Sequence, residues 1–178
     1  MNLGSISENK NIENRIAITP EISKKYTNLG FNLFLSKNYG SHLGFSDQEY
    51  KNEGVNILDN EQEIIKNSDV LIQLGLPDEE KLSSFSENKT LIGSLNSFLN
   101  REKLNNLKSK KINCFSLELL PRITRAQSMD ILSSQANLAG YKAVVEAFQV
   151  YERAIPMMMT AAGTIPAAKV LVVGAGVA

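Results

Sequence analysis

Short apolar runs alternate with polar, helix-forming segments over the first two thirds of the chain. The apolar runs predict strands at residues 3–6, 31–35, 55–58, 69–74, 90–95 and 112–119. The segments between them predict helices over residues 21–28, 61–66 and 101–109, with shorter ones after residues 46 and 77. Strands and helices that alternate every roughly twenty residues are typical of repeated βαβ units. The pattern therefore predicts an α/β domain with a mostly parallel sheet.

Two of these helices have clear start signals. Thr19 directly precedes Pro20, which combines an N-cap residue with a proline in the first turn, and Gly30 is placed to end the same helix. Ser46 and Glu49 have the spacing of a capping box. We therefore expect helices that begin at these two points.

A longer helix is predicted after residue 133, with Ser133 or Ser134 as its cap and Pro156 beyond its end. Its apolar side chains recur at the spacing of one helix face, at Tyr141, Val144, Val145, Phe148 and Tyr151. Such a stripe is more often core or inter-domain packing than a cofactor site. We therefore expect it to be buried.

The last stretch predicts a flexible apolar linker at residues 157–159, a turn at residues 161–166 and a buried strand at residues 168–173. Gly174 and Gly176 follow that strand and match the first two glycines of the dinucleotide-binding fingerprint. The third glycine would fall one position after Ala178. We therefore expect this sequence to be a fragment, or a truncated product, of something longer that binds NADH poorly by itself.

Composition excludes several classes of function. Nineteen basic and nineteen acidic side chains cancel, which gives no electrostatic case for binding nucleic acid. No apolar run is long enough to span a bilayer, and the first residues lack the pattern of a signal peptide. The single Cys114 lies in an apolar run and is expected to be a buried, inert thiol. No metal site is predicted.

The segment least explained by packing is residues 121–140, here called the polar segment. It places Arg122, Arg125, Gln127, Asp130 and several hydroxyls directly after an apolar run. One interpretation is a solvated loop in which the charged groups pair with one another. The other is a binding loop, because planar and forked donors hold an amide, a ribose or a phosphate in a fixed orientation.

Three sequence blocks carry a resemblance to a known family. They are residues 13–20, Glu-Asn-Arg-Ile-Ala-Ile-Thr-Pro; residues 121–130, Pro-Arg-Ile-Thr-Arg-Ala-Gln-Ser-Met-Asp; and residues 174–178, Gly-Ala-Gly-Val-Ala. Over nearly the whole chain the sequence resembles the N-terminal half of the NAD(H)-binding component of proton-translocating transhydrogenase and, more distantly, alanine dehydrogenase. The middle block is the most specific of the three.

The resemblance implies a Rossmann-like α/β domain over residues 1–133, an inter-domain helix over 134–155, and the truncated start of a second, NAD-binding Rossmann domain over 156–178. In that family NAD(H) binds in the cleft between two such domains. Hydride passes directly to NADP(H) on a partner component, and a membrane-spanning component couples the transfer to proton translocation. A homodimer in the cytoplasm, peripheral to the inner membrane through its partners, is also implied.

The resemblance also implies the site residues. Arg122, Asp130 and Ser133 would orient the nicotinamide carboxamide and nearby oxygens, with Arg125 alongside, and Gln127 would reach toward NADP(H). Arg122, Gln127 and Asp130 are thus the catalytic candidates. Residues placed at the rest of the dinucleotide are Gly174, Gly176 and Val177.

Two departures separate the two branches of the resemblance. Alanine dehydrogenase would require a lysine near residue 73 and a histidine near residue 96, where this chain has Gln73 and Asn96. This difference favours the transhydrogenase branch. Arg15 fits both branches, and a structural ion pair would account for it. The alternatives are an alanine-dehydrogenase-like oxidoreductase and a truncated, non-catalytic remnant.

Overall fold

The computed structural model describes residues 1–177. The chain forms two compact units, Met1–Leu120 and Pro121–Ala178. The division predicted at residue 133 concerns domains of the whole family fold, and it stays a prediction.

The first unit is built on a six-stranded parallel sheet. Its strands are β1 (Asn2–Ser5), β2 (Asn32–Ser36), β3 (Asn56–Leu58), β4 (Val70–Ile72), β5 (Thr90–Gly93) and β6 (Asn113–Ser116). They are ordered β3-β2-β1-β4-β5-β6, and each neighbouring pair is parallel. This is the strand order of the Rossmann fold, so the predicted fold class is confirmed.

The helices of this unit form where the sequence predicts them. They are α1 (Pro20–Asn28), α2 (Asp47–Asn52), α3 (Glu61–Asn67), α4 (Glu79–Ser83) and α5 (Arg101–Ser109). Thr19 caps α1 through Ile22 N, and Ser46 and Glu49 form both hydrogen bonds of a capping box on α2. Gly30, directly after the α1 C-cap, has a φ of +83°, a conformation that favours glycine.

The core consists of two apolar clusters that take alternate residues of the strands. Leu33 and Leu35 of β2 belong to one cluster, while Phe34 between them packs against the other. In β4, Leu71 belongs to the second cluster and its neighbours pack against the first. Because successive side chains of a strand point to opposite faces, the two clusters cover the two faces of the sheet.

The second unit contains a 3-10 segment at Thr124–Met129, the long helix α6 (Ile131–Val150), and the strands β7 (Met158–Thr160) and β8 (Gly163–Ile165). The two strands pair as an antiparallel hairpin. The predicted long helix is therefore present, but it begins and ends earlier than residues 134–155. It begins earlier because Asp130, rather than Ser133 or Ser134, is the N-cap.

Four expectations about burial and strands are wrong in the described residues. The stripe on α6 is exposed, with Tyr141 at 72% and Phe148 at 45%, because periodicity shows which side chains share a face but not what covers it. Residues 168–173 form no strand, since no neighbouring strand pairs with them. The methionines at 157–159 lead into a hairpin rather than forming a linker. Cys114 is exposed because β6 is an edge strand.

Candidate functional site

The carboxyl ends of β1 and β4 mark the point where the strand order reverses. Open α/β sheets commonly bind ligands in the crevice at this point. In this chain the Gln73 side chain is 3% exposed there. Its Oε1 accepts hydrogen bonds from Ile6 N at 2.8 Å and Ser5 Oγ at 3.0 Å, and its Nε2 donates to Ile6 O at 3.2 Å. The amide therefore joins the ends of the two strands.

Two further side chains complete what we call the switch-point cluster: Ser5, Glu8, Tyr39 and Gln73. Glu8 Oε1 accepts from Leu74 N at 2.6 Å and from Gln73 Nε2 at 3.1 Å. The Tyr39 hydroxyl bonds Ser5 Oγ at 2.8 Å. Burial raises the pKa of Glu8 and raises that of Tyr39 to about 12. The polar groups of the cluster are thus used within the protein.

Arg15 lies in the first block of the family resemblance. Its Nη2 lies 2.6 Å from Glu13 Oε2 and its Nε donates to Glu13 Oε1 at 2.8 Å. The pair raises the pKa of Arg15 and lowers that of Glu13, the Arg15 hydrogen bond being the main cause for Glu13. A structural ion pair, as predicted, accounts for this arginine.

In the polar segment the structure brings Arg122, Asp130 and Ser133 together, here called the loop cluster. Arg122 Nη2 donates to Ser133 Oγ at 2.7 Å, and its Nε donates to Asp130 Oδ2 at 3.4 Å. Ser133 Oγ in turn donates to Asp130 Oδ2 at 2.6 Å. The cluster forms because Asp130 caps α6, with Oδ1 accepting from Ser133 N at 2.9 Å.

The charges of the loop cluster are arranged differently from those of the switch-point cluster. The hydroxyl and backbone N–H of Ser133, with Arg122 nearby, hold the pKa of Asp130 below its usual value. The Arg122 side chain is 56% exposed, and its guanidinium has more donors than its two hydrogen bonds use. A fixed carboxylate thus orients a cation that can still donate to a ligand.

The other two candidates of the polar segment lie on either side of Ala126. Ala126 is 5% exposed, whereas Arg125 and Gln127 are exposed. Within residues 1–177, neither of these two side chains forms a hydrogen bond. The structure therefore presents a guanidinium and an amide on the outside of the 3-10 turn, apart from the loop cluster.

The glycine motif has only part of its predicted setting. Gly174 has a φ of +92°, which fits the tight turn predicted for it. Gly176 and Val177 are exposed, and within the described residues no hydrogen bond links the motif to the polar segment. Ala178, the last residue of the motif, lies outside the described residues.

Sequence reasoning missed Glu118. This residue lies in the 3-10 turn Leu117–Leu119, and its Oε1 accepts from Ser97 N at 3.1 Å and Ser116 Oγ at 2.5 Å. A lone carboxylate between leucines in an apolar run was the available signal. The capping role of Asp130 was also missed, although its spacing to Ser133 fits a cap.

Residues 1–177 contain neither a metal cluster nor a membrane-spanning helix. No group of three or more His, Cys, Asp or Glu side chains there could hold a metal ion. Each helix of this part is too short or too polar to cross a bilayer.

Comparison with protein families gives two matches. Residues 4–139 match the model of the alanine dehydrogenase/PNT N-terminal domain, and residues 143–178 match that of the alanine dehydrogenase/PNT C-terminal domain. The sequence is 40% identical over its full length to the first portion of NAD(P) transhydrogenase subunit alpha from Rickettsia prowazekii, covering 48% of that protein. It is 42% identical over 93% of its length to the protein of the same name from Rhodospirillum rubrum, covering 44% of it.

A solved structure agrees with these matches. The crystal structure of transhydrogenase from Sinorhizobium meliloti superposes with a TM-score of 0.93 and 40% identity, over 99% of this chain and 53% of that one. An L-alanine dehydrogenase superposes with a TM-score of 0.71 at 20% identity, over 79% of this chain and 38% of that one, which shows a shared fold alone. The chain spans about half the length of the curated transhydrogenase relatives just described.

Proposed function

Because the chain belongs to the alanine dehydrogenase/PNT family, we propose that it is the NAD(H)-binding part of a proton-translocating NAD(P) transhydrogenase. In this proposal a hydride passes directly between NAD(H) on this protein and NADP(H) on a separate component. A membrane-spanning component couples that transfer to proton translocation. The protein is then a homodimer, cytoplasmic and peripheral to the inner membrane through its partners.

The observation that carries the proposal is the loop cluster. A nicotinamide carboxamide offers one carbonyl and one NH2 group, which need a donor and an acceptor held in fixed positions. Arg122 supplies exposed donors, and Asp130 and Ser133 hold its guanidinium. The residues present thus fit the nicotinamide end of a dinucleotide. Arg125 is placed to meet ribose or phosphate oxygens.

The chemistry asked of these residues is positioning. The bound dinucleotides supply the hydride donor and acceptor. Holding two reactants in the right geometry removes much of the entropic barrier, and direct hydride transfer needs no general base. Gln127, exposed and without a side-chain hydrogen bond in the described residues, extends toward the second nucleotide in this proposal.

The domain assignment follows the same proposal. Residues 1–133 form the first domain, α6 belongs to the connection between domains, and the stretch from residue 156 begins the NAD-binding domain. The turn at Gly174 supports this last assignment, because its φ of +92° suits the first glycine of the fingerprint.

An alanine-dehydrogenase-like activity is the second candidate, and the switch-point cluster argues against it. The carboxylate of an amino acid or a 2-oxo acid needs cationic or unpaired donors. Gln73 donates instead to Ile6 O and Glu8. The third candidate, a non-catalytic remnant, differs from the proposal in having no hydride-transfer activity.

The test is hydride transfer from NADH to an oxidised NADP analogue, with the protein as its gene encodes it and an NADP(H)-binding partner component. We expect the rate to fall sharply in Gln127→Asn and Arg122→Ala. The matched surface variants Gln62→Asn and Arg101→Ala should retain it. Activity unchanged in the first two variants would reduce the polar segment to a structural loop, and no activity in the wild type would favour the remnant.

A further inference from the structure

Glu118 joins the ends of two neighbouring strands. β5 and β6 are parallel neighbours, so their carboxyl ends lie at the same edge of the sheet. The Glu118 carboxylate lies just past the end of β6 and accepts from Ser97 N, in the chain that follows β5, at 3.1 Å. The hydroxyl of Ser116, the last residue of β6, donates to the same oxygen at 2.5 Å.

The carboxylate is held in its charged form. Burial of Glu118 opposes ionisation, yet the Ser116 hydroxyl and the backbone N–H groups of residues 118, 97 and 95 together hold its pKa below the usual value. Hydrogen bonds to an ionised acceptor are stronger than those between neutral groups. Glu118 is therefore a firm anchor between the two strand ends.

This anchor is not arranged for stability alone. Glu118 Oε2 and Ser97 Oγ are both buried and have no hydrogen-bond partner within residues 1–177. A buried polar group without a partner is costly. A glutamine would keep one oxygen for Ser97 N, replace the unpartnered oxygen by a donor, and remove the buried charge. Strand anchoring by itself would therefore be served by a neutral amide.

The anchor lies next to the polar segment along the chain. Only Leu119, Leu120 and Pro121 separate Glu118 from Arg122. At the other end of the 3-10 segment, Asp130 fixes the start of α6 as its N-cap. Two ionised carboxylates thus hold the chain before and after the residues that carry the candidate chemistry.

We propose that Glu118 is a positioning residue of the nicotinamide site, which fixes where the chain leaves β6 and so where Arg122 is held. This role rests on the proposed function, since it acts through Arg122. It assigns the buried carboxylate to the geometry of the site rather than to contact with the dinucleotide.

The test is calorimetric titration of NADH into the protein as its gene encodes it. We expect Glu118→Gln to weaken NADH binding about tenfold while the thermal midpoint changes little. Ser116→Ala, which removes one donor to the anchor, should weaken binding less and serves if Glu118→Gln does not fold. Two matched controls should bind as the wild type does: Ser97→Ala, which keeps the backbone donor, and Glu87→Gln, which alters an exposed ion pair with Lys111.

A double variant separates positioning from a general structural effect. If Glu118 acts through Arg122, Glu118→Gln should add little to the affinity loss of Arg122→Ala. Wild-type affinity in Glu118→Gln, or losses that add fully in the double variant, would overturn the role proposed for Glu118. Unchanged affinity in Arg122→Ala alone would instead overturn the proposed function, so the two failures are distinguishable.

Discussion

The protein holds two polar clusters whose side chains are used in opposite ways. In the switch-point cluster, Gln73 is 3% exposed and bonds Ser5, Ile6 and Glu8. In the loop cluster, Arg122 is 56% exposed, although Asp130 and Ser133 hold it. The first cluster directs its hydrogen bonds inward, and the second presents donors to solvent.

The difference shows how a structural cluster is told from a binding cluster. A buried network in which each group has a partner contributes rigidity, and a ligand could enter only by breaking it. An exposed cation fixed by a carboxylate is already oriented and loses little freedom on binding. Polarity at the carboxyl edge of a parallel sheet is therefore not enough to identify a site, because the state of the donors decides.

The largest expected effect comes from breaking the buried cluster. Gln73→Ala leaves Ile6 N and O and the Ser5 hydroxyl without their partner in a buried position. We expect the free energy of unfolding to fall by about 3 kcal/mol, with NADH affinity of the folded protein unchanged. Urea denaturation measures the loss, and the exposed Gln62→Ala is its control. A stable Gln73→Ala variant that binds NADH poorly would reverse the comparison.

A smaller effect separates the two roles of Asp130. Asp130→Ala removes the cap of α6 and should cost about 1 kcal/mol of unfolding free energy. Asp130→Asn keeps a good capping residue but removes the charge that holds Arg122. We expect the asparagine variant to retain helix content by circular dichroism and to lose NADH affinity. Equal affinity in Asp130→Asn and the wild type would mean that the charge has no part in binding.

The two clusters should also respond to pH with opposite signs. The pKa of Glu8 is raised above 4.5 by burial, so the folded protein binds that proton more tightly and gains stability as pH falls through this range. The pKa of Asp130 is lowered below 3.8 by its bonds with Ser133, so its stabilisation is present above 3.8 and is lost as pH falls through the folded value.

The measurement is the unfolding free energy as a function of pH. Glu8→Gln should remove the gain that appears as pH falls toward 4.5. Asp130→Asn should remove the loss below 3.8. Identical pH profiles in the wild type and either variant would show that the group does not titrate as its surroundings require.

The smallest effect is expected at Arg15. Its pair with Glu13 is partly exposed, with the arginine side chain 56% accessible, and such pairs contribute about 0.2–1 kcal/mol. Arg15→Ala should lower the unfolding free energy by no more than this and leave NADH affinity unchanged. A large affinity loss would make Arg15 a ligand residue and weaken the distinction between the two clusters.

Local rules predict much of the fold and little of the buried network. Thr19, Ser46 and Gly30 signal helix ends through bonds within a few residues, and each forms as predicted. Gln73 and Glu8 bond partners far away in sequence. No local pattern predicts that closure.

The polar segment shows the same limit. Its composition identifies Arg122 and Asp130 as candidates, but not that Ser133 would join them through the cap of α6. The stripe containing Tyr141 and Phe148 has helical periodicity and is nonetheless exposed. Periodicity predicts a shared face, whereas burial also depends on what packs against that face.

The most direct test of the loop cluster is NADH affinity by calorimetry in the wild type, Arg122→Ala and the matched Arg101→Ala, with thermal midpoints measured alongside. We predict about tenfold weaker binding in Arg122→Ala, wild-type affinity in Arg101→Ala, and similar midpoints in all three. Equal affinity in the wild type and Arg122→Ala would contradict the assignment of the loop cluster as the nicotinamide site.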